Sequence, residues 1–140
     1  MLPEQLDLVE TSFAVFYPSA LEAFAVHFYD NLFALEPDLR ARFPSDMREQ
    51  RLKLMTMLNI AVNGLRHPTS LTPILANLGQ LHNRMGVGGM HYQTMGAALQ
   101  TTLQQHLGAR YTPAIANAWM AAYTAITRMM EAELAEPVSA

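Results

Sequence analysis

Apolar side chains recur every three to four residues along nearly the whole chain, and no segment sustains the two-residue alternation of a half-buried strand. That pattern limits the chain to helices packed on helices. Prolines and glycines then cut it into lengths. Pro3, Pro37, Pro73 and Pro113 each stand where a first helical residue can stand, because the N–H that proline lacks has no helical partner there. Thr72-Pro73 and Thr112-Pro113 read as an N-cap followed by a first turn. Ser19-Ala20-Leu21-Glu22, just past Pro18, has the spacing of a capping box. Gly108 and the Gly86…Gly88-Gly89 cluster read as helix stops. These signals predict six helices, about 4–17, 20–35, 46–65, 73–84, 91–107 and 113–135, with short helical turns after Pro37 and near Ser45.

At 140 residues the chain is the size of one ordinary domain, 1–140, able to bury a core. It is 51% apolar and only 15% charged, far from a disordered composition and apolar enough to enclose something besides itself. A net charge of −3 gives no electrostatic reason to expect nucleic acid or an anionic membrane as partner. The absence of cysteine excludes a disulfide framework, an iron–sulfur cluster, thiolate haem ligation and a Cys-type zinc site, and it fits a reducing cytoplasm. Met1-Leu2-Pro3-Glu4-Gln5 is not the start of a signal peptide. The most apolar stretch, 114–127, is too short to span a bilayer and is interrupted by Asn117 and Thr124. The expectation is a soluble cytoplasmic protein.

The helical faces carry more. Met47, Gln50, Leu54, Met57, Leu58, Ala61 and Leu65 share one stripe of the third long helix. Ile74, Leu75, Leu78, Leu81, His82 and Met85 share one of the fourth, and Ile115, Trp119, Ala122, Ile126, Met129 and Glu133 one of the last. Each stripe is apolar except for a polar residue: Gln50, His82 or Glu133. A histidine on an apolar face is more often a satisfied core residue than a ligand. As a ligand, His82 would donate from its other ring nitrogen, with the Leu78 carbonyl one turn earlier as the natural acceptor.

Other chemistry is poorly served. The histidines at 27, 67, 82, 91 and 106 include no i, i+3 or i, i+4 pair, and no HExxH occurs, so a protein-only metal site is weakly supported. GxSxG, GxGxxG and Walker loops are absent. What remains is a cofactor held by one histidine in a large apolar slot, a description that haem fits.

Three segments then point to a family. They are Phe28-Tyr29-Asp30-Asn31-Leu32-Phe33 with Pro37 and Arg42-Phe43; Leu81-His82 with Gly86-Val87 and His91-Tyr92; and Ala118-Trp119 with Ala122-Tyr123. Together, over about residues 5–134, the chain resembles bacterial single-domain haemoglobins and the globin half of flavohaemoglobins. The resemblance implies an all-α globin fold, six to eight helices packed around haem b (iron protoporphyrin), with His82 as the metal ligand. It implies that Phe43 stacks on the porphyrin, that the Tyr29 hydroxyl donates to bound O2 beside Gln50, and that Leu54 crowds the ligand. Tyr92 and Glu133 are implied to hydrogen-bond around the histidine, and Val87, Tyr123 and Ile126 to complete the cofactor contacts. Two positions depart from the family pattern. Leu81 stands where a basic residue is common, and the acid of the last helix is one position off its usual spacing from Tyr123. Glu131 is therefore a rival, although Glu133, seven residues after Ile126, shares the inward stripe.

The function that follows is reversible binding of O2, and of NO or CO, at a penta-coordinate iron. The alternatives are a nitric oxide dioxygenase served by an external reductase, since no flavin or nicotinamide domain follows, and a haem-free helical interaction module. A gas sensor would need an output domain, and a homodimer is left open.

Overall fold

A computed structural model describes residues 1–84 and 91–135, leaving aside the side chains of 83 and 132–135. The described elements are helical throughout: α1 (Pro3–Phe16), α2 (Leu21–Leu35), a 3₁₀ turn (Pro37–Arg42), α3 (Arg48–Gly64), α4 (Pro68–Arg84), α5 (Tyr92–Leu107), a second 3₁₀ turn (Gly108–Arg110) and α6 (Pro113–Ala135). α4 packs most extensively on α6, α2 on α5 and α1 on α6, while α3 lies against α2 and α4.

Several boundaries follow the sequence signals. The Thr112 hydroxyl accepts from the Ile115 N–H at 3.3 Å, capping α6 ahead of Pro113. Gly108 ends α5 at φ +55°, a conformation that favours glycine. The 3₁₀ turn after Pro37 forms, but the segment around Ser45 is not helical. The stop expected at Gly86…Gly88-Gly89 lies outside the described residues.

Two expectations are corrected. The Ser19–Glu22 capping box does not form: Ala20 is the N-cap of α2 and makes no side-chain cap bond. The Ala20 N–H instead reaches back to the Phe16 carbonyl (3.0 Å) and the Leu21 N–H to that of Pro18 (3.2 Å), so the turn itself supplies the partners and Ser19 is left exposed. The fourth helix begins at Pro68, not Pro73. The Ser70 and Leu71 N–H groups bond to the His67 carbonyl at 3.0 and 3.2 Å, making His67-Pro68 the true entry. Pro73 lies inside α4, exposed, one residue after Thr72, whose hydroxyl bonds to the Pro68 carbonyl at 2.7 Å. Its missing N–H costs a helical bond only on the solvent side.

The core is built where α1, α2, α5 and α6 meet, with Val9, Phe16, Phe24, Leu32, Leu103 and Trp119 all buried. Two of its polar side chains satisfy one another: Trp119 Nε1 donates to Ser12 Oγ at 2.8 Å, and Ser12 Oγ donates to the Leu8 carbonyl at 2.6 Å. One close approach fixes α4. A Cβ on Gly79 would lie 2.0 Å from the Met130 carbonyl oxygen, so only glycine lets α4 press this closely on α6.

Candidate functional site

α3 is unusual among the long helices. Its inward residues Leu54, Met57 and Leu58 are only half-buried, and of its seventeen residues only Ala61 and Val62 are buried. The reason is that this face looks into empty space. An apolar cavity of about 130 Å³ lies beneath it, walled by residues such as Phe28, Leu58, Leu75, Leu99, Trp119 and Ile126. A second cavity of about 310 Å³ shares Leu54, Met57, Leu78 and His82 with it and opens toward Tyr29, Gln50, Lys53 and Arg84. The two share these walls and form one slot with an apolar floor and a polar mouth.

Tyr29 comes from α2, whose wide apolar arc buries it to 7% exposure. Its ring packs against Phe28 (5.3 Å between centroids), Phe33 (5.9 Å) and Phe43 (5.7 Å). The hydroxyl accepts from Gln50 Nε2 at 3.3 Å, joining α2 to the first turn of α3. Burial pushes the phenol up to about 12, and the Gln50 bond opposes that only in part. The phenol is therefore a neutral O–H donor whose proton is free to point into the slot. Phe43 follows the 3₁₀ turn, where Arg40 bonds to the carbonyls of Pro44 (2.9 Å) and Ser45 (3.0 Å) and holds the segment in place. Phe43 is half-buried beside Tyr29 and Phe33, and the walls of the slot do not include it.

His82 stands in the last turn of α4, on the line Leu71, Leu75, Leu78, while Ile74 and Leu81 of the predicted stripe are largely exposed. The imidazole lines both parts of the slot. Its Nδ1 is buried without a hydrogen-bond partner among the described residues, so the Leu78 carbonyl does not receive it here. Burial holds the ring below the ordinary histidine range, which keeps it neutral and able to ligate. A buried, unsatisfied imidazole costs free energy, about 1–3 kcal/mol in general, and no described residue accepts from Nδ1.

Beyond His82 lie two hydrogen-bonded tyrosines, Tyr92 and Tyr123. Tyr92, the first residue of α5, is buried, and its hydroxyl donates to Met130 Sδ at 3.9 Å rather than to the His82 ring. The Tyr123 hydroxyl donates to the Tyr92 carbonyl. Burial raises both phenols, and the nearby Glu131 carboxylate raises them further. Glu131 is exposed. The Glu133 side chain and Val87 lie outside the described residues. Tyr123 and Ile126 line the slot, as does Leu54.

Sequence reasoning passed over Phe28, Met95 and Met130 in the walls and Lys53 and Arg84 at the mouth. Phe28 and Lys53 had a signal: one precedes Tyr29 and the other follows Gln50 by three residues. Met95 had none, because its position depends on how α5 crosses the bundle.

The residues present fit a haem. The slot is apolar, one neutral imidazole without a protein partner opens into it, two uncharged donors stand at its mouth, and two cations stand at its rim.

Comparison with known proteins agrees. A solved structure of the engineered carbene transferase RmaNOD, a variant of a protein named as a nitric oxide dioxygenase of Rhodothermus marinus, shares the fold with a TM-score of 0.83 at 22% identity, over 95% of this chain and 92% of that one. Neuroglobin of Dissostichus mawsoni is 29% identical over 116 residues, 73% of either chain. Neuroglobin of Danio rerio is 32% identical over 82 residues, 59% of this chain and 52% of its own. The globin family model matches residues 26–130, three quarters of the sequence, and the chain belongs to the globin family.

Proposed function

We propose that the chain is a single globin domain that binds haem b in this slot through His82 and holds O2 beneath the Tyr29–Gln50 donor pair. Haem, when bound, would supply an iron that takes a diatomic gas. The rest is work for the polypeptide. The His82 imidazole, kept neutral by burial on α4, would hold the iron. Lys53 and Arg84 at the mouth meet the carboxylates of the cofactor. The apolar walls exclude water, so a hydrogen bond made inside is worth more than one made in bulk solvent. Tyr29 and Gln50 place an O–H and an N–H where a bound gas gathers negative charge, favouring O2 over the less polar CO. The observation that carries this reading is that His82 and the Tyr29–Gln50 pair open into one slot.

The same donor pair supports a second reading, conversion of NO and O2 to nitrate. That conversion consumes one electron per nitrate. The chain has no cysteine and no nucleotide-binding loop, so this reading includes an external reductant. Haem-loaded, reduced protein equilibrated with O2 and mixed with NO is expected to yield one nitrate per chain and then stop, even with NADH present. Adding a flavin reductase should sustain NO consumption. Sustained turnover on NADH alone would show that no external reductase is needed. No nitrate in the first turnover would leave O2 binding as the function.

A further inference from the structure

Two histidines that lie 79 residues apart in sequence meet on the outside of the bundle. His27 projects from α2 and His106 from α5, and His27 Nδ1 lies 2.8 Å from His106 Nε2. Neither lines the slot. We propose that this pair is a second metal site, distinct from that of His82, for a divalent transition ion of the Cu(II) or Ni(II) type.

The geometry carries the choice of ion. Two imidazole nitrogens bound at roughly 2.0–2.1 Å stand about 2.9 Å apart at a right angle and about 3.3–3.4 Å apart at a tetrahedral angle. The observed 2.8 Å is a short step from the first and a longer one from the second. Square-planar or tetragonal nitrogen and oxygen sites are those of Cu(II) and Ni(II), and Cu(II) binds such donors most tightly of the first-row divalent ions.

The pair is also held in place. The His106 ring packs on Phe24 at 5.2 Å and Phe16 at 6.2 Å between centroids, which limits its rotation. One turn along, Asn31 Nδ2 donates to Thr102 Oγ1 (2.9 Å) and Gln105 Oε1 (3.0 Å), fixing the spacing of α2 and α5. Thr102 is fully buried, so that cross-link is anchored in the core. Burial and the neighbouring His27 both hold His106 below the ordinary histidine range, which favours the neutral ring a metal needs.

Without metal, one ring donates its N–H to the other. Binding needs both facing lone pairs, so the bridging proton moves to the outer nitrogen of its own ring, and no net proton is released from a neutral pair. His27 is exposed, which gives the ion and its waters access. No third His, Cys, Asp or Glu joins the pair among the described residues, so water completes the coordination.

The test is a titration of haem-loaded ferric protein with Cu(II) in a non-coordinating buffer at pH 7.5, followed by calorimetry and by electron paramagnetic resonance of the copper signal. One Cu(II) per chain is expected, with hyperfine structure from two nitrogens. His27→Gln, an exposed change that leaves the core alone, should weaken binding at least tenfold, and His106→Gln should do the same. His67→Gln should leave it unchanged, and Zn(II) should bind at least tenfold more weakly than Cu(II). Unchanged copper binding in His27→Gln would overturn the site and leave the pair a plain interhelical hydrogen bond. Zinc binding as tight as copper would contradict the coordination geometry. His27 and His106 are remote from the slot, so the comparison between wild type and His27→Gln is independent of how haem is held.

Discussion

Replacing His82 by glycine is expected to strip the chain of haem, lowering affinity by at least about 100-fold, because loss of a mere supporting bond to a metal ligand already costs 10–100-fold. No other histidine lines the described walls of the slot. The fold should survive. His82 contributes no hydrogen bond through Nδ1, and α4 is held on α6 by Gly79 and the buried Leu71 and Leu75. Far-ultraviolet circular dichroism should therefore be unchanged while the haem absorption is lost. Added imidazole should enter the vacated space and restore haem binding. Haem retention equal to the wild type would show that another residue is the ligand.

Tyr29→Phe should have the next largest effect. It removes one hydroxyl while keeping a ring packed among Phe28, Phe33 and Phe43. A hydrogen bond to a charged acceptor is worth roughly 1.5–3 kcal/mol, so O2 should dissociate about tenfold faster or more. CO, which carries less charge when bound, should dissociate at nearly the original rate. The phenol is raised to about 12 by burial, above its ordinary value. It therefore stays a protonated donor across the neutral range and well into alkaline conditions, and the wild-type to Tyr29→Phe ratio should be flat from about pH 6 to 10. Stopped-flow mixing gives both rates. Equal acceleration of O2 and CO release would assign Tyr29 a steric role instead.

Much of the fold is legible in the sequence because it depends on local chemistry. The Thr112 cap, the Gly108 stop and the helical period of α6 are set by neighbours a few residues away. The start of α4 is not, because His67-Pro68 and Thr72-Pro73 offer the same local signal. What decides between them is whether residues 68–72 find helical partners, and His67 supplies them. Ser19 misleads for the opposite reason: its capping capacity is real, but the turn out of α1 already provides the bonds. In the site, Tyr29 and His82 sit in segments that carry the family resemblance, Gln50 is implied by it, and all three line one slot. Histidine spacing along a helix cannot reveal the His27–His106 pair, because the two sit on different helices and only the packing of α2 on α5 joins them. Ile74 falls outside the buried line of α4, which runs through Leu71 and Leu75, while Leu78 and Leu81 border the slot.

Central to the proposed function is that His82 would be the single protein ligand of the haem. The absorption spectrum of the purified protein, oxidised, reduced, and reduced under CO, tests this directly. One haem per chain is predicted, with a reduced spectrum of the five-coordinate, histidine-ligated type that shifts completely when CO is added. Failure to retain haem, or a reduced spectrum of the six-coordinate type that CO leaves unchanged, would contradict it.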